Sequence, residues 1–218
     1  MRFDMHVHTS ETSPCGNVTA AETVRLYREA GYSGICITDH YTRSFFEGVD
    51  GTWEQKVEAF LQGYRRAAAA APAGFGVFLG LELRLDGSNN EYLVYGVSEA
   101  FLNKHPALYA WDLPAIRNLT QQEGLLLYQA HPFRDGMTRP DPALLDGMEV
   151  YNGNPRHNSR NEEAFRYATG HRLRMISGSD CHELCDVGRG GIVLPRDPGN
   201  EAGLLEWISH GDYELLRS

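Results

Sequence analysis

No stretch of this chain is long and apolar enough to cross a bilayer. The longest uncharged run, Ala67 to Leu81, has 15 residues and is broken by Pro72 and three glycines, whereas a span needs roughly 20. Positive charge is also scarce: 20 Lys and Arg stand against 29 Asp and Glu, a net charge of -9. A general nucleic-acid surface needs clustered cations to meet phosphates, so an extended nucleic-acid partner is not expected. A small anion held by a few arginines or by metal ions stays open. The N-terminus has neither the basic start nor the apolar core of a secretion signal. Four cysteines (Cys15, Cys36, Cys181, Cys185) in 218 residues make no disulfide framework, and a cytoplasmic protein with reduced thiols is expected. No GxGxxG or GKS/T follows the first apolar run, which removes the usual phosphate-cradling loops of nucleotide-binding sheets.

What is there is an alternation of short apolar runs with helical patterns. Strand-like runs cover residues 3–8, 34–40, 76–85, 91–97, 125–132, 147–152, 174–180 and 191–195. Helical spacing covers 19–30, 53–71, 113–123, 158–169 and 201–210. Thr19 with Glu22 three residues on is a start signal, and Gly31 a stop. Strands separated by helices imply parallel βαβ units. With no repeat or linker in view, one α/β barrel domain over residues 1–218 is expected.

In such a barrel the active site gathers at the carboxyl ends of the strands. Five of the nine histidines, His6, His8, His40, His131 and His182, fall at ends of strand-like runs, with Glu82, Glu149 and Asp180 nearby. Imidazoles with carboxylates are the ligand mix of zinc, iron or manganese hydrolase sites. Asp4, His6 and His8 alternate along the first run, so one strand face should carry all three. Asp4, deeper in the strand, is then expected to orient a ligand histidine through its second ring nitrogen. Adjacent strand residues face opposite ways, so His40 is the expected ligand and Asp39 a supporting group.

The pieces DMHVHTS, ITDH, GLE, AHPFR, EVYN and GSDCH, in this order, resemble the PHP (polymerase and histidinol phosphatase) family. The resemblance implies a distorted seven-stranded β/α barrel, a (β/α)7 fold, holding two or three divalent metal ions, zinc, iron or manganese, at the carboxyl ends of its strands. It implies that His6, His8, Glu82 and Asp180 hold one ion and His40 and His182 a second. His131 would hold a third, with Glu82 bridging. Two departures bear on the count. Where the family offers Asp or His after DxHxHT this chain has SPCG, so Cys15 is the expected substitute, a thiol that would favour zinc or iron. The histidine usually found between the Glu82 and His131 positions is absent from EYLVYGV. Two ions are therefore expected.

Arg134 lies three residues after His131, and a guanidinium fork fits phosphate oxygens. His157 and Arg189, in loops expected at the same rim, complete the expected substrate contacts. Asp180 and His182 are expected at the catalytic centre. The function this supports is hydrolysis of a small phosphomonoester or nucleotide by attack of a metal-bound hydroxide on phosphorus. Two alternatives are a non-catalytic metal-binding module and an amidohydrolase-like C–N hydrolase. The latter often bridges its ions with a carboxylated lysine, and neither Lys56 nor Lys104 falls at a strand end.

Overall fold

The computed structural model describes residues 1–139 and 141–217. The chain runs β1 (Arg2–Val7), α1 (Ala20–Glu29), β2 (Gly34–Ile37), β3 (His40–Tyr41), α2 (Arg43–Glu47), α3 (Trp53–Phe60), α4 (Gln62–Ala70) and β4 (Gly76–Arg84). It continues with β5 (Glu91–Tyr95), α5 (Glu99–Lys104), α6 (Leu113–Glu123), β6 (Leu126–Gln129), β7 (Gly147–Asn152) and α7 (Asn161–His171). The last elements are β8 (Arg174–Gly178), β9 (Gly190–Val193), α8 (Glu201–His210) and β10 (Glu214–Arg217). Thr19 caps α1 by accepting from Glu22 N. The helix expected over 53–71 divides at Leu61, and Gly63 in its second half lies against the loop after β1. A Cβ there would sit 2.0 Å from Thr9 Oγ1 and 2.5 Å from Asp39 Oδ2.

One mixed sheet, ordered β10-β9-β1-β2-β4-β5-β6-β7-β8 with β3 beside β4, curls into a nearly closed barrel. Seven of its strands, β1, β2 and β4 to β8, form the wall that the seven-stranded reading anticipates. The parallel expectation holds for β1–β2–β4 and β6–β7–β8. It fails for β4–β5–β6 and β1–β9–β10, which are antiparallel. The reason at β4–β5 is local: the six residues 85–90 between them are too few for the dozen or more that a parallel crossover takes.

Closure brings β8 back to β1. Val7 bridges Cys181, and a Cβ on Gly178 would lie 2.4 Å from His6 Cβ. Lower in the barrel, Ser177 Oγ donates to Leu216 O at 2.5 Å and accepts from Gly191 N at 3.0 Å, tying β8 to β10 and β9. Phe3, Met5, Leu93, Tyr95, Tyr128, Ile176 and Ile192 pack together as one core cluster. A second, larger cluster joins β4 and β5 to the helices outside them and contains Tyr41 and Phe46.

A register shift between Asp4 and Val7 corrects the expectation for the first strand. Asp4 pairs with Ile35 and Val7 with Ile37, so an extra residue is inserted between them, a bulge that re-aims side chains. Asp4 turns towards α1, accepting from Tyr27 Oη at 2.8 Å, and does not share a face with His6. Its Oδ1 accepts from Ser179 N at 3.0 Å and His6 N at 3.1 Å. Burial raises its pKa to about 6, against these hydrogen bonds. Asp4 thus joins β1, α1 and the end of β8.

Two stability measurements follow. Asp4→Ala takes the acceptor from two buried backbone N–H groups and leaves Tyr27 Oη with Ser179 Oγ alone, and is expected to cost about 3–5 kcal/mol in urea unfolding; a loss under about 1 kcal/mol would rule out this role. Glu201, at the start of α8, accepts from Leu79 N at 3.3 Å, and burial pushes it up to about 7. A raised carboxyl stabilises fully below its unfolded pKa, near 4.5, and loses that contribution as pH climbs through about 7. Between pH 5 and 8 the wild type should lose about 1–2 kcal/mol relative to Glu201→Gln, allowing for partial exposure. A constant difference across that range would contradict it.

Candidate metal centre

The histidines expected from their strand ends meet at one end of the barrel, around Glu82. This carboxylate is fully buried. Its Oε1 lies 3.2 Å from His6 Nε2 and 3.0 Å from His131 Nε2. Its Oε2 lies 3.4 Å from His8 Nε2 and 2.8 Å from His40 Nδ1. Asp180 Oδ1 closes the other side, 3.5 Å from His6 Nε2, 3.4 Å from His8 Nε2 and 3.3 Å from His182 Nδ1. His131 and Asp180 leave their strands with φ of 27° and 52°. Non-glycine residues rarely adopt such values, and backbone strain of this kind clusters at functional sites.

A surrounding layer holds these groups. The second ring nitrogen of His6 belongs to Glu149, not to Asp4: Nδ1 lies 3.0 Å from Glu149 Oε1. The other Glu149 oxygen accepts from His131 N and Asn152 Nδ2, both at 2.9 Å. Asp39 supports the loop after β1, accepting from Thr9 N, Thr9 Oγ1 and Ser13 Oγ. Arg134, expected as a phosphate fork, commits one nitrogen to Asp180 Oδ2 at 2.7 Å and to Asn152 Oδ1 at 3.1 Å. Arg156 chelates Asp186 at 2.7 and 2.6 Å. Asp186 in turn accepts from the backbone N of His182 and Glu183, shaping the CHELC turn.

The electrostatics are those of a crowded, dry cluster. Burial opposes charge on His6, yet Glu149, Glu82 and Asp180 together lift it well above its ordinary pKa. Burial, with His182 and His40 beside it, keeps His8 well below. Glu82 and Asp180 stay well below the carboxylate range: burial works against this, and the imidazoles outweigh it, with His6 foremost. Burial raises the Cys15 thiol, but hydrogen bonds with His182 and His40 bring it down to about 6.

These residues fit divalent cations. His6 Nε2 and His8 Nε2 point at each other across 3.0 Å, close to the roughly 3.3 Å edge of a tetrahedral site with nitrogen ligands. His40 Nδ1 and Glu82 Oε2 are buried and, though 2.8 Å apart, are not aligned for a hydrogen bond, and His131 Nδ1 is buried with no hydrogen-bond partner. Three sets of donor atoms lie within 4.8 Å of one another: His6, His8 and Asp180; His8, His40 and His182; and His40, Glu82 and Glu91. Cys15 reaches the imidazoles of His40 and His182 from the rim but stands outside these three sets.

Glu91 was not anticipated. Its carboxylate lies 3.4 Å from His131 Nε2 and 3.9 Å from His40 Nδ1, in the segment where a histidine was sought. Because β5 runs antiparallel to β4, its first residue, not its last, faces the site. The short 85–90 connection was the available signal.

The donor cluster floors a cleft of about 260 Å3 whose lining includes Cys15, Arg134, Asn154, Arg156 and His157. His157 therefore stands where expected. Arg189 does not: it is absent from the lining, and its Nε donates to Cys185 O at 2.7 Å. Cys181 is buried behind the β1–β8 bridge. A groove of about 500 Å3 beside Trp207 and His210 lies beyond β9, at the other end of β1, away from the histidines. No helix of the described residues is long and apolar enough to cross a membrane.

Among curated proteins none matches the chain in sequence. Solved structures resemble it in fold. PsfC from Pseudomonas syringae shares 19% identity and a TM-score of 0.72, over 100% of this chain and 91% of its own. An amidohydrolase from Chromobacterium violaceum with bound sulfate and no metal shares 17% identity and a TM-score of 0.59, over 100% and 98%. A Bifidobacterium adolescentis protein described as a candidate metal-dependent phosphoesterase shares 17% and 0.54, over 84% and 88%. Family profiles are more specific: the PHP domain matches residues 4–179 and the PHP-associated profile residues 158–213. The chain belongs to the PHP domain family and carries the site of a metal-dependent hydrolase.

Proposed function

We propose that the protein is a metal-dependent phosphoesterase acting on a small phosphomonoester. The observation that carries this reading is the joined donor cluster: Glu82 touches four imidazoles, and Asp180 links two of these to His182, on the floor of a cleft with arginines in its wall. We assign His6, His8, Glu82 and Asp180 to one divalent ion and His40, His182 and Cys15 to a second. His131, Glu82 and Glu91 form a third position, Glu91 supplying the ligand that a histidine-only search misses. Carboxylates, imidazoles and a thiol together suit zinc, iron or manganese. Ions held there supply a water acidic enough to act as nucleophile near neutral pH, and charge against phosphoryl oxygens.

The protein's own groups do the rest. Arg134 holds Asp180 in place and brings a fixed positive charge to the cleft, with His157 and Arg156 above it. Strand ends and bonded loops leave these groups little freedom, so orientation is set before substrate arrives. A cleft of about 260 Å3 falls below the ~300–1,000 Å3 of pockets that take drug-sized ligands, which favours a compact phosphate ester over an extended chain. The C–N hydrolase alternative is less favoured: Lys56 donates to Phe46 O and Lys104 pairs with Glu123, and neither lines the cleft.

Phosphate release from a panel of phosphomonoesters and diesters tests the reading, using protein loaded with zinc, manganese or iron. Wild type should release phosphate only with metal, and Asp180→Ala should lose at least 100-fold, on the order seen when a transition-state charge partner is removed. No release from protein shown to hold its ions would sink the proposal. Glu91→Gln should lower bound metal per chain, measured by elemental analysis, while leaving the fold intact; unchanged stoichiometry would remove Glu91 from the ligand set. Cys15→Ser should weaken zinc more than manganese in chelator competition, since a thiolate favours the softer ion. Equal losses for both ions would count against Cys15 as a ligand.

A further inference from the structure

The loop between β1 and α1 carries a buried hydroxyl, Ser13, with three polar neighbours. A serine hydroxyl has one hydrogen to donate and two lone pairs to accept with. Ser13 Oγ donates to Asp39 Oδ1 at 2.7 Å. That oxygen also accepts from Thr9 N at 2.7 Å, so it acts as an acceptor towards both. The backbone N–H of His40 can only donate, and it donates to Ser13 Oγ at 3.1 Å. The hydroxyl's hydrogen is committed and one lone pair is taken. The remaining neighbour is His8 Nδ1, 3.3 Å away, and a lone pair is all that is left to meet it.

We infer that Ser13 is a positioning residue that fixes the ring tautomer of His8, with the hydrogen on Nδ1 and the lone pair of Nε2 aimed into the donor cluster. This rests on the metal-site reading above and adds how that site is prepared before an ion arrives. His8 Nε2 faces His6 Nε2 at 3.0 Å and oxygens of Glu82 and Asp180 at 3.4 Å each. An N–H at this position would suit those carboxylates but would block a cation; a lone pair suits the cation. The Asp39–Ser13–His8 chain decides between the two. The same hydroxyl ties His40 through its backbone, so one side chain sets an imidazole at each of two proposed ion positions. Glu149 plays the matching part for His6, where an acceptor carboxylate faces Nδ1.

Outer partners of this kind are worth about 10–100-fold in metal affinity. The test pairs imidazole nitrogen NMR of metal-stripped protein with zinc and manganese affinity from chelator competition. Wild-type His8 should show a protonated Nδ1 and a bare Nε2. Ser13→Ala should move His8 towards the other tautomer and weaken cation binding about 10–100-fold, and Ser13→Thr, which keeps the hydroxyl, should restore both. Thr12→Val is the control: Thr12 donates to Phe60 O and accepts from Gly63 N in the same loop, so its loss loosens packing without touching an imidazole. It should leave tautomer and affinity unchanged. A hydrogen on Nε2 of His8 in the wild type would overturn the inference, and that spectrum is decisive whether or not Ser13→Ala folds. Wild-type affinity and tautomer in a folded Ser13→Ala would overturn it equally. Protein that binds neither cation yet shows the Nδ1 hydrogen would refute the metal reading and support the role of Ser13.

Discussion

The structure turns on a carboxylate that water cannot reach. Glu82 has no exposed surface and lies within 3.4 Å of four imidazole nitrogens. Burying an unpaired charge costs several kcal/mol, so the strand that carries Glu82 requires cationic company. The fold supplies it from three separate segments, the end of β1, the start of β3 and the turn after β6, with β4 as the platform that carries Glu82. A protein that only needed stability would fill this volume with apolar side chains. Retaining a nest of ionisable groups at the end of a barrel marks the site as functional.

Around that cluster the barrel is divided by chemistry. Aromatic and aliphatic side chains pack below it, Tyr95 and Tyr128 each donating to a backbone carbonyl, while several groups in the mouth are held by a second polar group. His6 is held by Glu149, Asp180 by Arg134, the CHELC turn by Asp186 and Arg156, and the loop after β1 by Asp39. These are bonds between residues far apart in sequence, so the geometry of the mouth depends on complete closure of the sheet. The bulge in β1 and the left-handed residues His131 and Asp180 mark where regular strand geometry yields to that requirement.

Much of this was legible in the residues alone. Histidine after histidine at the ends of apolar runs announced a cluster, and the pieces from DMHVHTS to GSDCH pointed to the family that the profile match establishes. Two of the misses share one cause. Each assumed regular geometry: an unbulged first strand put Asp4 beside His6, and an all-parallel sheet confined the search to strand ends, which excluded Glu91 at the start of β5. Arg189 was placed at the rim by nearness in sequence, while its loop directs it to Cys185 O.

The sequence by itself determined which chemistry is present: ligand-type side chains at strand ends, in a chain with a net charge of -9. Composition and local spacing carry that information because side-chain identity and period are local properties. Only the tertiary structure decided the pairing, namely which acid holds which ring, which end of an antiparallel strand faces the cleft, and which hydroxyl directs His8. Those choices follow from register, from one inserted residue in β1 and from closure of β8 on β1, and long-range contacts of this kind leave no periodic mark on the chain.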